Sequence, residues 1–160
     1  PVGIIVAVYL AELAGENLKN VIKTVIELLA GIPSVVYGFF GLVVLVPFVK
    51  DTFNLEVGES ALAGSILLAI IALPTIISLS EDAISATPRE LKAASLAVGA
   101  NHLQTILNVS IPYGFSGIVS ATILGIGRAF GETMAVLMVC GNAAVMPNLF
   151  QPVRTITATI

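Results

Sequence analysis

The sequence predicts an all-α membrane protein, a polytopic bundle of transmembrane helices, and three observations carry that prediction. Of its 160 residues, 57% are hydrophobic and only 11% charged, whereas soluble domains carry about 25% charged residues. The mean hydropathy is +1.03. Apolar runs recur along the chain, and at about 20 residues per crossing there is room for four or five crossings with short loops. The same figures exclude a disordered chain and a disulfide scaffold. A net charge of -3 gives no basic footprint, so no nucleic acid partner is implied. One cysteine, Cys140, cannot close an internal disulfide, and one histidine, His102, offers no metal cluster.

The elements follow in order. Residues 2–11 are apolar but about half a span long, without the basic flank or small-residue cleavage site of a signal peptide. They read as the tail of a crossing. The last residues, rich in Thr, Ile and Ala, look like the start of another element, so both ends are expected to be cuts in a longer protein. Residues 12–27 place Glu12, Glu16, Lys19, Lys23 and Glu27 against Val21, Ile22, Val25 and Ile26 on a helical period, which predicts an amphipathic interfacial helix. Residues 28–49 form the next crossing, broken near its start by Gly31-Ile32-Pro33, because proline lacks a donor and clashes with the preceding turn. Residues 61–79 cross again, with a kink expected at Pro74, and residues 115–140 form the last crossing, carrying Arg128 and Glu132.

Lysine and arginine set the orientation, since cytoplasmic loops are enriched in them. The stretch 12–27 holds Lys19 and Lys23, the stretch 80–113 holds Arg89 and Lys92, and the loop between them sets Lys50 against Asp51, Glu56 and Glu59. The first segment therefore enters the cytoplasm, and the following crossings leave, return and leave again.

Residues 80–113 are too long for a simple connection and too polar to span. Thr87-Pro88-Arg89-Glu90 has the capping-box pattern, with Thr87 as cap and Pro88 in the first helical position. The helix it predicts runs through Leu91, Ala94, Leu96 and Val98 to Gly99, a residue suited to the left-handed turn that ends helices. Asn101-His102-Leu103-Gln104 repeats the cap, with Leu103, Ile106 and Leu107 on one face and Pro112 as the stop. This hairpin reads either as lying on the membrane or as docking a cytoplasmic partner.

Arg128 at membrane depth costs at least about 2.5–3.5 kcal/mol by insertion scales. On a continuous helix Arg128 and Glu132, four apart, point from one face. They read either as an ion pair bracing itself or as an anion site, since a guanidinium fork matches phosphate or carboxylate oxygens. Ser34, behind the Pro33 break, could offer a hydroxyl to the same anion or bond a carbonyl one turn back. Gly127 and Gly131 make a small-xxx-small pair that admits a close neighbour or merely packs. Tyr37 reads as packing, Cys140 as a small buried apolar residue and His102 as a solvated loop side chain. No Gly-Lys-Ser/Thr phosphate loop occurs, and no nucleophile–base pair or metal spacing supports an enzyme.

The run LKAASLAVGANHLQTILNVSIP resembles the loop that defines importer-type ABC permeases, in which Glu-Ala-Ala is followed by three residues, a glycine and a later Ile-x-Leu-Pro. Gly99 matches the glycine and Ile111-Pro112 fall at the family spacing. The family glutamate falls on Ala93, with Ala94 next and Ser95 third. LAGIPSVVYGFFGL at 29–42 and GRAFGETMAVLMVCGNAAVMPN at 127–148 are similar to phosphate permeases of this family, and the Met134-Ala135-Val136 continuation favours their C-type (PstC-like) subunit. Pro152-Val153-Arg154-Thr155 also resembles that subunit.

The resemblance implies one permease domain over 1–160, six crossings in the whole subunit with the first and last outside this stretch, and a multi-pass place in the cell membrane. It implies import of phosphate with no cofactor on this chain, ATP-Mg being spent by two partner ATPase subunits (PstB-like). A sister permease (PstA-like) and an external phosphate-binding protein (PstS-like) complete the implied assembly. Arg128, Glu132 and Ser34 would line the pathway. Glu90, Ala93, Ala94, Gly99, Ala100 and Asn101 would meet the ATPase, the ion pair usual there being absent or supplied by Glu90. Sulfate or molybdate import, and a non-transporting sensor or scaffold, stand as alternatives.

Overall fold

The computed structural model describes residues 1–143 and 148–158. Residues 144–147 of the second phosphate-permease-like run, and the last two residues of the expected new element, lie outside the described residues. Seven helices longer than one turn are found among the described residues: α1 Val2–Leu13, α2 Glu16–Gly31, α3 Ser34–Phe53, α4 Ala61–Ser85, α5 Arg89–Ala97, α6 His102–Gly131 and α7 Met134–Cys140. Three of them, α3, α4 and α6, are long and apolar enough to cross a membrane.

The residues gather into two compact units, Pro1–Ala30 with Leu73–Gly125 and Gly31–Ala72 with Ile126–Ile160. In the first, Ala7 and Leu10 of α1, Ile26 of α2, Ile77 and Ile84 of α4 and Ile118 of α6 form the core. Small residues let its helices close: a Cβ on Gly117 of α6 would collide with that of Ala83 of α4. In the second, Val49 of α3, Ala63, Leu67 and Ile71 of α4, and Ala135 and Val139 of α7 form the core. There α3 and α7 pack closely, a Cβ on Gly38 falling 2.7 Å from the Ala135 backbone. The Cys140 thiol covers Gly64, so Cys140 is the small buried residue that the sequence predicts.

The Gly31-Ile32-Pro33 break is present, with Pro33 extended at φ -58°, ψ 137°. Residues 28–31 complete the amphipathic helix instead of opening the crossing, which starts at Ser34. The apolar face of α2 is divided: Ile26 is buried, while Leu18, Val21, Val25 and Leu28 are exposed. The expected end of α4 near residue 79 is overturned, because α4 continues to Ser85, and Pro74 sits inside it without ending it.

Pro112 does not stop its helix either. A π-helical turn, Ile106–Ser110, immediately precedes it, and the Ile111 N–H reaches back to the Ile106 carbonyl. The same device occurs in α3, where the π turn Gly41–Leu45 precedes Pro47 and Val46 donates to Gly41. A proline disturbs the helix through the carbonyl four residues back. In both helices that residue, Val43 or Asn108, lies inside the widened turn, so the ladder is already rearranged where the ring arrives. Conversely, residues 115–140 are not one helix: α6 ends at Gly131, and α7 starts afresh at Met134.

Candidate functional site

Two places concentrate polar chemistry, one in each unit. In the first, α5 and the start of α6 form the expected hairpin. Val98 caps α5 and Gly99 takes φ +92°. Gly99 N–H donates to Leu96 O at 3.0 Å and Ala100 N–H to Ser95 O at 3.2 Å, the paired bonds of a Schellman turn. Asn101 then caps α6 with a complete box. Its side chain accepts from Gln104 N–H at 2.8 Å, and its own N–H donates to Gln104 Oε1 at 2.8 Å.

The first cap of the hairpin differs from the sequence expectation. Thr87 is buried and its hydroxyl donates to Ile84 O at 2.8 Å, finishing α4, while Pro88 occupies the cap position with no side-chain bond. Leu103 and Leu107 are exposed but Ile106 is buried, so only part of that apolar face is covered. His102 is exposed as expected, yet it opens α6 instead of sitting in a loop, with Nε2 3.3 Å from Glu12 O.

The hairpin offers its surface outward. Glu90, Ala93, Ala94, Gly99 and Asn101 are exposed, Ala100 is half-buried, and α5 buries none of its residues. Val98 at the tip is 85% exposed. Two bonds stiffen the inner side: the Thr105 hydroxyl donates to Asn101 O at 3.2 Å, leaving the Ser95 hydroxyl, 3.0 Å away, to donate to Thr105. Lys92 of α5 pairs with Glu12 of α1 at 2.8 Å.

Sequence reasoning missed the charge cluster below the hairpin. Glu81 of α4 is 2% exposed, and Lys19 and Lys23 of α2 close on its two oxygens at 2.6 and 2.7 Å. Lys23 also reaches Asp82 at 2.6 Å, and the Ser85 hydroxyl donates to Glu81 at 2.7 Å. The Asp82 and Glu81 carboxylates hold the Lys23 ammonium well above the usual lysine range. The signal was in the spacing: two lysines one turn apart can straddle one carboxylate.

In the second unit, Arg128 is half-buried in the last turn of α6, where a cation complements the helix dipole. Glu132 lies beyond the helix end, so the shared-face argument from four-residue spacing does not apply. Its carboxylate accepts from Ala135 N–H at 3.3 Å, inside the first turn of α7, and its carbonyl accepts from the Thr157 hydroxyl at 3.3 Å. Gly127 and Gly131 have nothing within 4 Å of a would-be Cβ; the close approaches fall on other glycines.

Ser34 is half-buried and opens α3. Gly38 meets Ala135 while Gly41 meets Val139, so α3 and α7 run parallel. Ser34 and Glu132 therefore stand near the same end of that helix pair, and Arg128 precedes Glu132 by four residues. Glu132 also lines a cavity of about 340 Å³ with Arg154, Thr155 and Thr157. Arg154, whose Nε donates to Asn142 Oδ1 at 3.0 Å, was read only as part of a resemblance. The chain returns there because Val153 N–H donates to Cys140 O at 2.9 Å.

Comparison with known proteins places these features in a family. The sequence profile described as "binding-protein-dependent transport system inner membrane component" matches residues 1–159. The chain is 47% identical over 161 residues to the "probable ABC transporter permease protein YqgH" of Bacillus subtilis, covering 100% of this chain and 52% of that one. It is 38% identical over 180 residues to the "phosphate transport system permease protein PstC" of Mesorhizobium japonicum, covering 100% and 55%. The protein of the same name from Haemophilus influenzae is 34% identical over 180 residues, covering 100% and 57%. The chain thus spans about half the length of the curated relatives it matches. With three helices able to span and a family match along nearly its whole length, this chain belongs to the binding-protein-dependent transport system inner membrane components.

Proposed function

We propose that residues 1–160 are the permease domain of one subunit of an ATP-driven importer, and that its cargo is inorganic phosphate. The observation that carries the reading is the exposed hairpin, closed by the Gly99 turn and the Asn101 box, on a chain of the binding-protein-dependent family. Relatives named as phosphate permeases at 34–38% identity support the cargo. The chain binds no cofactor and catalyses no reaction. Two ATPase subunits hydrolyse ATP-Mg, a sister permease completes the channel, and an external binding protein delivers the anion.

In this reading the hairpin points into the cytoplasm and seats on an ATPase. Glu90, Ala93 and Ala94 present one face of α5, and Gly99, Ala100 and Asn101 form the tip. Ala93 carries no charge where the loop pattern it resembles has glutamate, so Glu90, exposed and one turn earlier, supplies the acidic group. Arg128 holds the anion by its guanidinium fork. Ser34 adds a hydroxyl at the start of α3, where unpaired N–H groups and the helix dipole favour negative charge. Glu132 accepts from the protonated oxygen that phosphate keeps near neutral pH.

The test is ATP-driven uptake of labelled phosphate by vesicles carrying the full-length subunit with its sister permease, ATPase and binding protein, challenged with excess sulfate and molybdate. Uptake indifferent to both supports phosphate. Suppression by either moves the cargo to that oxyanion, and an assembled complex without uptake makes the protein a sensor.

A further inference from the structure

The exposed hairpin needs something to hold its bearing, because α5 has no buried residue of its own. Glu12 supplies two ties. Its side chain is 5% exposed and meets Lys92 of α5 at 2.8 Å. Its backbone carbonyl lies 3.3 Å from His102 Nε2 at the start of α6, so the ring donates there. That carbonyl is available because Glu12 lies in the closing π turn of α1, Tyr9–Leu13, where the last carbonyls have no partner further along the helix. One residue therefore grips both arms of the hairpin. It also sits two positions after Leu10, which is packed in the core with Ile26, Ile77, Ile84 and Ile118.

We propose that Glu12 is the positioning residue of the hairpin, fixing its bearing on α1 and carrying its displacement to that helix when a partner seats on it. The carrying role rests on the permease reading above; the fixing role does not. A nearly buried carboxylate left without its cation is costly, so Lys92→Met loosens the hairpin more than the near-isosteric Glu12→Gln.

Hydrogen exchange on the full-length subunit in lipid nanodiscs tests the first half. Amides of α5 in Glu12→Gln are expected to exchange about tenfold faster than in the wild type, while those of α4 and of residues 111–125 keep their protection and show that the variant is folded. The exchanged pair Glu12→Lys with Lys92→Glu should return to within about threefold of the wild type. Wild-type exchange in Glu12→Gln, or a swapped pair as loose as the single variants, overturns the proposal. In the assembled importer, phosphate moved per ATP hydrolysed should fall at least about fivefold in Glu12→Gln with the ATPase still bound; full coupling overturns the carrying role. A wild-type subunit that retains no ATPase overturns the permease reading instead, and the exchange result still decides whether Glu12 holds the hairpin.

Discussion

Lys19, Lys23 and Glu81 show how one charged residue can be kept nearly out of water at the edge of a membrane bundle. Glu81 is 3% exposed at its side chain, but both lysines keep a quarter or more of theirs in solvent, at 26% and 30%. Their desolvation is therefore partial, and the expected loss from Glu81→Ala is about 1–3 kcal/mol rather than the full cost of a broken buried pair. Lys23, held high mainly by its bond to Asp82 and then by Glu81, contributes stability that is complete below its usual value of 10.5. That contribution fades only as pH climbs through the raised folded value. The melting-temperature gap between wild type and Lys23→Gln should accordingly stay constant from about pH 7 to about pH 10, and a gap that narrows within that range would count against the pairing. Ser80 and Ser110 are the opposite case. Both hydroxyls are fully buried with no partner among the described residues, so Ser80→Ala and Ser110→Ala are expected to be neutral or to stabilise by up to about 1 kcal/mol in thermal denaturation.

Among elements, the hairpin was the most legible and the prolines the least. Gly99 and the Asn101–Gln104 box follow local rules, because a left-handed glycine and a side-chain cap need only their own neighbours. Thr87 failed the same reasoning. Its hydroxyl donates to the Ile84 carbonyl at the end of α4 instead of accepting from the first turn of α5, and Pro88 takes the cap position. Pro112 failed differently, since a π turn that absorbs a proline, as also before Pro47, has no periodic signature. The small-residue signal was real but misplaced: Gly127-xxx-Gly131 is open, whereas Gly38, Gly64 and Gly117 meet their neighbours, and only tertiary pairing distinguishes them. These contacts separate by repair. Gly117→Ala should destabilise by about 1–3 kcal/mol and recover with Ala83→Gly, because the obstacle is a methyl. Gly38→Ala should not recover with Ala135→Gly, because the obstacle there includes backbone.

At the scale of the whole molecule, Arg128 and Glu132 were found in the sequence as a pair on one helix, and the helix ends between them. What periodicity could not supply was the fresh start at Met134, nor the return of residues 149–153 that brings Arg154 to the cavity beside Glu132. The two roles of the pair separate in transport. If Arg128 holds the anion, Arg128→Gln should lower phosphate uptake at least about tenfold, and adding Glu132→Gln should not restore it. Recovery in the double variant would mean that the arginine only balances the glutamate. Gly99→Pro, which forbids the left-handed turn, should abolish co-purification of the ATPase with the full-length subunit; undiminished co-purification would overturn the docking role of the hairpin.

The π turn at Ile106–Ser110 has a further meaning when α6 is regarded as a rotating shaft. Each residue of an α-helix advances about 100° around the axis, and the widened turn holds one residue more than its neighbours. The widening takes up that surplus, so Asn101, where the hairpin is attached, keeps its phase to Ile118 and Ala121, whose buried side chains lock the helix to its core. Left in a regular helix, the same surplus would swing the hairpin through about 100°. Lys92 would then face away from Glu12, and every residue offered to a partner would point in a new direction. The width of that one turn, rather than any side chain in it, is what keeps the surface on its bearing.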